Sequence, residues 1–113
     1  MDELPIFVKW LETLSWLMQV AEKFPKRLRG TITDRTLNLA LDVVDDFVEA
    51  RYSRSKLPAL KRANLRIEKI RVLLRIVHEQ KVLSHQSYKH GAYQVNEVGK
   101  MLGGWIKQQE PTP

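Results

Sequence analysis

The sequence predicts an all-α protein whose helices form an up-down antiparallel four-helix bundle. Apolar residues recur at alternating spacings of three and four along four segments, the period of a helix with one buried face. No segment alternates apolar and polar residues as a strand does. Short connections should place consecutive helices side by side. A chain of 113 residues forms one domain, and we assign residues 1–109 to the bundle and 110–113 to a flexible C-terminal tail.

The first helix is expected to run from Pro5 to Phe24. Proline suits the first turn of a helix, and Pro25 pushes the residue before it out of the α region. The core seam of this helix is predicted to comprise Phe7, Trp10, Leu14, Leu17, Ala21 and Phe24.

The second helix is expected to open at Thr31 or Thr33, because Thr31-x-x-Asp34 resembles a capping box. Its apolar pattern fades near Tyr52. The stripe predicted to face the core comprises Leu37, Ala40, Leu41, Val44, Phe47 and Val48.

Pro58 is expected to open the third helix, and Ser84 is expected to cap the fourth. The third helix has a predicted core seam of Leu60, Ala63, Ile67, Ile70, Leu74 and Val77. The fourth should face inward with Tyr88, Ala92, Val95, Gly99, Leu102 and Ile106. Gly103 and Gly104 lie inside that fourth pattern, and each costs about 0.5–1 kcal/mol relative to alanine. Such a cost fits a close approach by another backbone or the last turns of the helix.

Some apolar residues lie where a monomer would not need them. Leu65, Val72 and Ile76 fall nearly opposite the core seam of the third helix, at 100° per residue. Trp16 is expected to project from the first helix among charged residues. A helix with two opposed apolar faces is usually covered on both. We therefore expect these four residues to contribute to an interface in a homo-oligomer.

The second helix carries four carboxylates on its outer side: Asp42, Asp45, Asp46 and Glu49. No histidine lies at ligand spacing on that helix, so a solvated acidic face is favoured over a metal site. The same carboxylates could also meet a basic surface on a neighbouring subunit or a partner protein.

Positive charge is concentrated in two places. Residues 56–83 contain eight basic and two acidic residues, a net +6, and residues 25–30 add +3. Such asymmetry favours a polyanionic partner such as nucleic acid, although a solvated basic helix is the ordinary alternative. The candidate residues for contacts with nucleic acid or a partner are Lys26, Arg27, Arg29, Lys61, Arg62, Arg66, Lys69, Arg71 and Arg75.

Several classes of protein are disfavoured by composition. The chain has no cysteine, which excludes disulfides and thiolate chemistry. Its N-terminus is acidic, unlike a signal peptide, and the uncharged stretch 13–21 is too short to span a bilayer. We expect a cytoplasmic protein that binds no membrane, no metal, no cofactor and no small-molecule substrate.

No catalytic arrangement stands out, and we expect no enzymatic activity. His85 and His90 are five residues apart and share no helix face, so they are poor candidates for chelation. Arg71 and His78 are seven apart on one face and resemble the Arg-(x6)-His motif of HEPN-type ribonucleases. A basic surface arginine and a histidine at a helix end remain the favoured interpretation of that pair.

Three stretches together resemble a known family. They are Glu97-Val-Gly-Lys-Met-Leu-Gly-Gly-Trp-Ile-Lys107, the run from Ile76-Val77-His78 to Leu83-Ser84-His85-x-x-Tyr88, and Phe24-Pro25-Lys26. They are similar to the accessory variability determinant (Avd) proteins of diversity-generating retroelements. Those proteins are grouped with four-helix bundles encoded in ribosomal-RNA intervening sequences. The resemblance covers nearly the whole chain.

The resemblance implies a pentameric barrel of four-helix bundles with a strongly positive surface. It also implies binding to the element's reverse transcriptase and to template RNA or cDNA. Such a protein has no catalysis of its own and supports mutagenic reverse transcription and retrohoming. An RNA-binding protein of the intervening-sequence branch is the alternative.

Overall fold

The computed structural model describes residues 4–111, and these residues are all-helical, with no β-strand. Four α-helices follow one another: α1 (Pro5–Ala21), α2 (Asp34–Tyr52), α3 (Leu57–Glu79) and α4 (His85–Gln109). Helix α1 packs against α2 and α4, and α3 packs against the same two helices. The bundle measures 46 × 23 × 22 Å, as expected for four rods lying side by side. The predicted four-helix architecture is therefore confirmed.

The core is closed by aromatic side chains from α1 and α2. Trp10 and Phe47 are fully buried, and their ring centroids lie 6.5 Å apart in an edge-to-face arrangement of 84°. The Trp10 Nε1–H group donates a hydrogen bond to the Ala40 carbonyl oxygen at 3.0 Å. This bond satisfies the only polar atom of the indole, so the whole side chain can be buried without an unpaired donor.

Helix α3 buries the complete seam that its sequence predicts. All six residues, Leu60, Ala63, Ile67, Ile70, Leu74 and Val77, are buried. Helix α4 buries Val95 and Leu102 as predicted, whereas Tyr88, Ala92, Gly99 and Ile106 are half-buried. Gly91 and Val98 are buried in α4 instead.

Helices α1 and α2 are rotated relative to the sequence-based prediction. In α1, Phe7 and Leu14 are only half-buried, and Ile6 and Thr13 are buried. Thr13 can be buried because its hydroxyl donates to the Lys9 carbonyl oxygen at 2.9 Å.

In α2, the predictions that Leu41 and Val48 face the core are wrong, since both side chains are exposed. Thr36 and Asp46 are buried on that helix. The Thr36 hydroxyl donates to the Ile32 carbonyl oxygen at 2.7 Å, which satisfies the threonine within its own helix region.

The helix ends agree only in part with the sequence-based prediction. Helix α1 begins at Pro5 as predicted but ends at Ala21, before Phe24. The predicted capping box is absent, because the Thr31 hydroxyl donates backwards to the Leu28 carbonyl oxygen. Ser84 does cap α4, accepting a hydrogen bond from the Ser87 N–H at 3.1 Å. Across the described residues, no helix combines the length and the apolar character needed to cross a membrane.

Candidate nucleic-acid interface

The connection between α1 and α2 presents three cations at one end of the bundle. Lys26 and Arg27 lie in a 3₁₀ turn, Lys26–Leu28, and Arg29 begins a π-helical turn, Arg29–Thr33, that leads into α2. Pro25 is extended (φ −56°, ψ 143°), so it separates these two turns from α1. All three cationic side chains are exposed, and none forms an ion pair within residues 4–111. We call them the loop cluster.

Two arginines of α3 are held by one buried carboxylate of α2. Arg66 Nη1 lies 2.6 and 2.7 Å from the two carboxylate oxygens of Asp46, whose side chain is only 3% exposed. Arg62 Nε lies 3.2 Å from the same carboxylate. A buried carboxylate requires such partners, because an unpaired one would lose its hydration without compensation.

Arg62 bridges two acidic residues of α2. Its Nη2 atom lies 2.7 Å from Glu49 Oε2. The hydrogen bond with Glu49, together with that to Asp46, raises the pKa of Arg62 above its ordinary value. The expectation of a solvated acidic face on α2 is therefore wrong for Asp46, which pins α3 to α2. We call Asp46, Glu49, Arg62 and Arg66 the α2–α3 ion network.

The other two arginines of α3 pair along their own helix. Arg71 contacts Glu68 three residues earlier, and its guanidinium lies against α4 at Gly99. A Cβ atom at Gly99 would lie 2.6 Å from Arg71 Nη2, so the absence of a side chain there makes room for the arginine. Arg75 Nε lies 2.7 Å from Glu79 Oε1, and this hydrogen bond raises the pKa of Arg75.

The structure thus divides the nine predicted cations into two groups. Arg62, Arg66, Arg71 and Arg75 each face a carboxylate of the same chain. The cations that are exposed and form no ion pair within the described residues are Lys26, Arg27, Arg29, Lys61 and Lys69. Because a paired guanidinium is already partly neutralised, the second group has more charge to offer a phosphate.

The four residues predicted to form an oligomer interface differ in their exposure. Leu65, Val72 and Ile76 are exposed by 57%, 57% and 36%, as their position opposite the seam indicates. Trp16, expected from the sequence to project away from the core seam of α1 as an exposed residue among charged ones, packs against α4 instead. Its ring is half-buried, packs directly on Gly91 and lies 5.6 Å from the His90 ring. Gly91 is needed there because any side chain would collide with the indole.

Three aromatic residues form a cluster at the α3–α4 turn that the sequence did not reveal. His78 stacks on Tyr88 with ring centroids 4.2 Å apart and an angle of 5°. His78 Nε2 also lies 3.3 Å from His85 Nδ1. Two features of the sequence could have indicated this cluster: the five-residue connection and the Ser84 cap. Together they place the start of α4 beside the end of α3.

This cluster gives little support to a ribonuclease. An acid–base mechanism across a phosphate needs its proton-transfer groups on separate sides of the reacting atoms. Here the Nε2 atom of His78 faces a second imidazole, and Arg71 faces Glu68. The arrangement resembles a structural contact between helix ends more than a catalytic site.

Comparison with known proteins gives one family. No curated protein was found to match this chain. A family model described as bAvd-like matches residues 6–109, which include all four α-helices except the first residue of α1. The match extends through the loop cluster and the α2–α3 ion network. The chain therefore belongs to the bAvd-like family.

Proposed function

We propose that this protein is a non-catalytic accessory protein of a diversity-generating retroelement, binding the element's reverse transcriptase together with template RNA or cDNA. Membership of the bAvd-like family carries this proposal and supports an accessory role. In that role the protein supports mutagenic reverse transcription and retrohoming without performing the chemistry itself.

The loop cluster is the part of the proposed surface that is best suited to phosphates. Lys26, Arg27 and Arg29 occupy successive 3₁₀ and π-helical turns, are exposed and have no carboxylate partner within residues 4–111. Cations that give up no internal ion pair can bind phosphates without breaking existing contacts. On α3, Lys61 is likewise exposed and forms no ion pair within the described residues.

Self-association would multiply the charge of the loop cluster. We propose that the exposed α3 residues Leu65, Val72 and Ile76 help build a homo-oligomer, with a pentamer as the expected form. A ring repeats every surface around its axis, so several loop clusters would act on one strand of nucleic acid. One bundle alone offers only a few phosphate contacts and should bind weakly.

The proposal is tested by affinity capture of the tagged protein from its own cells. We expect to recover a reverse transcriptase and its template RNA. In the variant Lys26→Gln/Arg27→Gln/Arg29→Gln, RNA recovery should fall at least about tenfold, as expected from the loss of three phosphate contacts.

A matched control removes equal charge from elsewhere. The variant Arg54→Gln/Lys100→Gln/Lys107→Gln changes three exposed cations away from the loop cluster and should retain the RNA. Recovery of ribosomal material alone would favour the intervening-sequence branch and contradict the retroelement role. Equal RNA loss in both triple variants would contradict the assignment to the loop cluster.

A further inference from the structure

Two separate apolar surfaces are exposed on this bundle, and they carry opposite charge at their borders. The first, which we call the α3 face, consists of Leu65, Val72 and Ile76 on the outer side of α3. It continues into a groove between α3 and α2 that is lined by Leu39 and Leu73. Lys69 and Arg35 line the same groove, are exposed and form no ion pair within the described residues.

The second surface, which we call the α1–α2 face, was not anticipated from the sequence. Leu11 and Met18 of α1 are 41% and 54% exposed, and Leu41 and Val48 of α2 are 50% and 38% exposed. Each pair is seven residues apart, so each forms a stripe along one side of its helix.

The two stripes flank the same groove. On α1, the opposite flank is occupied by Trp16, which packs on α4. On α2, the opposite flank is occupied by Asp46, which binds α3. The remaining flanks of α1 and α2 therefore face each other, and Met18 and Leu37 line one pocket there. Beneath the stripes, Phe7, Leu14, Leu37 and Val44 are half-buried against the core, which makes the apolar surface continuous.

Acidic residues border the α1–α2 face. Asp45 lies between Leu41 and Val48 along α2, Glu22 follows Met18 by one turn, and Asp34 lines the pocket beside Met18. All three are exposed, and none forms an ion pair within residues 4–111. The one cation in that pocket, Arg29, lies at its loop end. The border of this face is therefore mainly negative, whereas that of the α3 face is positive.

We propose that the α3 face of one subunit docks onto the α1–α2 face of the next copy of the same chain. Apolar side chains would meet apolar side chains, with Lys69 and Arg35 approaching the acidic border. Pairing of two α3 faces would instead bring like charges together, which disfavours a two-fold dimer. The inference depends on the proposed self-association but not on nucleic-acid binding.

The position of the two faces on the bundle explains how repeated subunit contacts could form a closed ring. Helices α1 and α3 both pack against α2 and α4, so they are diagonal neighbours in the bundle. The α3 face and the α1–α2 face accordingly lie on different sides, without being directly opposed. Repetition of one heterologous contact then turns progressively and can form a ring, as opposed to a straight stack.

The test uses one disrupted face in each of two variants. Val72→Asp places a charge on the α3 face, and Leu41→Asp places one on the α1–α2 face. Both positions are exposed, so both variants should fold, as checked by circular dichroism. We expect each variant alone to lose the assembly and elute as a monomer, measured by size-exclusion chromatography with light scattering. An equimolar mixture should form a heterodimer, because each partner contributes one intact face.

The control is Tyr93→Asp, which alters an exposed aromatic residue on α4 outside both faces and should keep the wild-type mass. A wild-type mass for Leu41→Asp, or two monomeric variants that form no heterodimer, would overturn the proposed pairing. A wild-type protein that remains monomeric would overturn self-association itself. The RNA capture by the loop cluster is read out separately, so the two failures can be distinguished.

Discussion

Helix α3 and the connection between α1 and α2 are the two basic regions of this chain, and they hold their charge in different ways. Arg62, Arg66, Arg71 and Arg75 on α3 each contact a carboxylate, and Asp46 among these is buried. The cations of the loop cluster project into solvent without such a partner in the described residues. Similar sequence composition therefore serves packing in one region and leaves charge available in the other.

The difference matters because a polyanion responds to charge that is not already compensated. A guanidinium bound to a carboxylate has a much reduced field at the distance of a second ligand. The eight basic residues of 56–83 consequently overstate the free charge of α3. One of them, Lys56, donates to the carbonyl oxygens of Ala50 and Ser53 at 2.6 and 2.9 Å and so closes the end of α2.

The largest effect should come from the loop cluster. Replacing Lys26, Arg27 and Arg29 by glutamine should raise the Kd for single-stranded RNA at least about tenfold. The association constant should also depend less steeply on salt, with the negative slope of log K against log salt concentration smaller in magnitude by about 2. The measurement is fluorescence anisotropy of a labelled RNA over a salt series. The comparison variant Arg71→Gln/Arg75→Gln should change both quantities less. If Arg71→Gln/Arg75→Gln changed the Kd and the salt dependence as much as the loop-cluster variant or more, the two regions would not differ in the charge they offer to RNA.

The second effect concerns the buried carboxylate of the α2–α3 ion network. Asp46→Ala should lower the free energy of unfolding by about 1–3 kcal/mol, because it leaves Arg62 and Arg66 without their shared partner. RNA affinity should not fall, since Arg66 is released and Arg62 keeps only Glu49 as a partner. Urea unfolding measures the first quantity. The adjacent variant Asp45→Ala, at an exposed position, should stay within about 0.5 kcal/mol of the wild type.

The smallest effect is expected where an ion pair is fully exposed. Glu79→Gln removes the partner of Arg75 and should lower the free energy of unfolding far less than Asp46→Ala does, because water screens an exposed pair of this kind. Urea unfolding in parallel with Asp46→Ala gives the comparison. A loss as large as that of Asp46→Ala would show that burial does not separate the two sets of ion pairs.

The core of α3 could be predicted from the sequence because periodicity alone determines it. Every predicted seam residue of this long helix is apolar, and each one is buried. Helix α2 could not be predicted in the same way. Asp46 enters the interior at the expense of Leu41 and Val48 because two arginines, 16 and 20 residues further along, satisfy its charge. A hydrophobic pattern contains no information about such a distant partner.

The candidate site shows the same limit for cations and glycines. The sequence identifies the basic residues but cannot indicate that Arg62 and Arg66 are paired with α2, since that pairing depends on the rotation of α2 against α3. Likewise, the adjacent Gly103 and Gly104 suggest a close helix contact, yet a Cβ atom added at either position would meet no packing neighbour within 4 Å. They lie in the last two turns of α4, and the close contacts occur at Gly91 and Gly99. A single glycine within a helical pattern does not indicate from the sequence that another side chain packs closely against it.

The seat of Trp16 on Gly91 has a consequence for the order in which the bundle forms. This contact joins residues 75 positions apart in the chain, whereas the α2–α3 ion network joins residues separated by 20 or fewer. Closing a longer loop costs more chain entropy, so the α2–α3 hairpin should assemble before α1 closes on α4. The contact between α1 and α4 should also be the first to open in partial unfolding. Hydrogen exchange would then detect α1 amides exchanging ahead of those in α2 and α3, and the reverse order would show that α1 is not the last helix to dock.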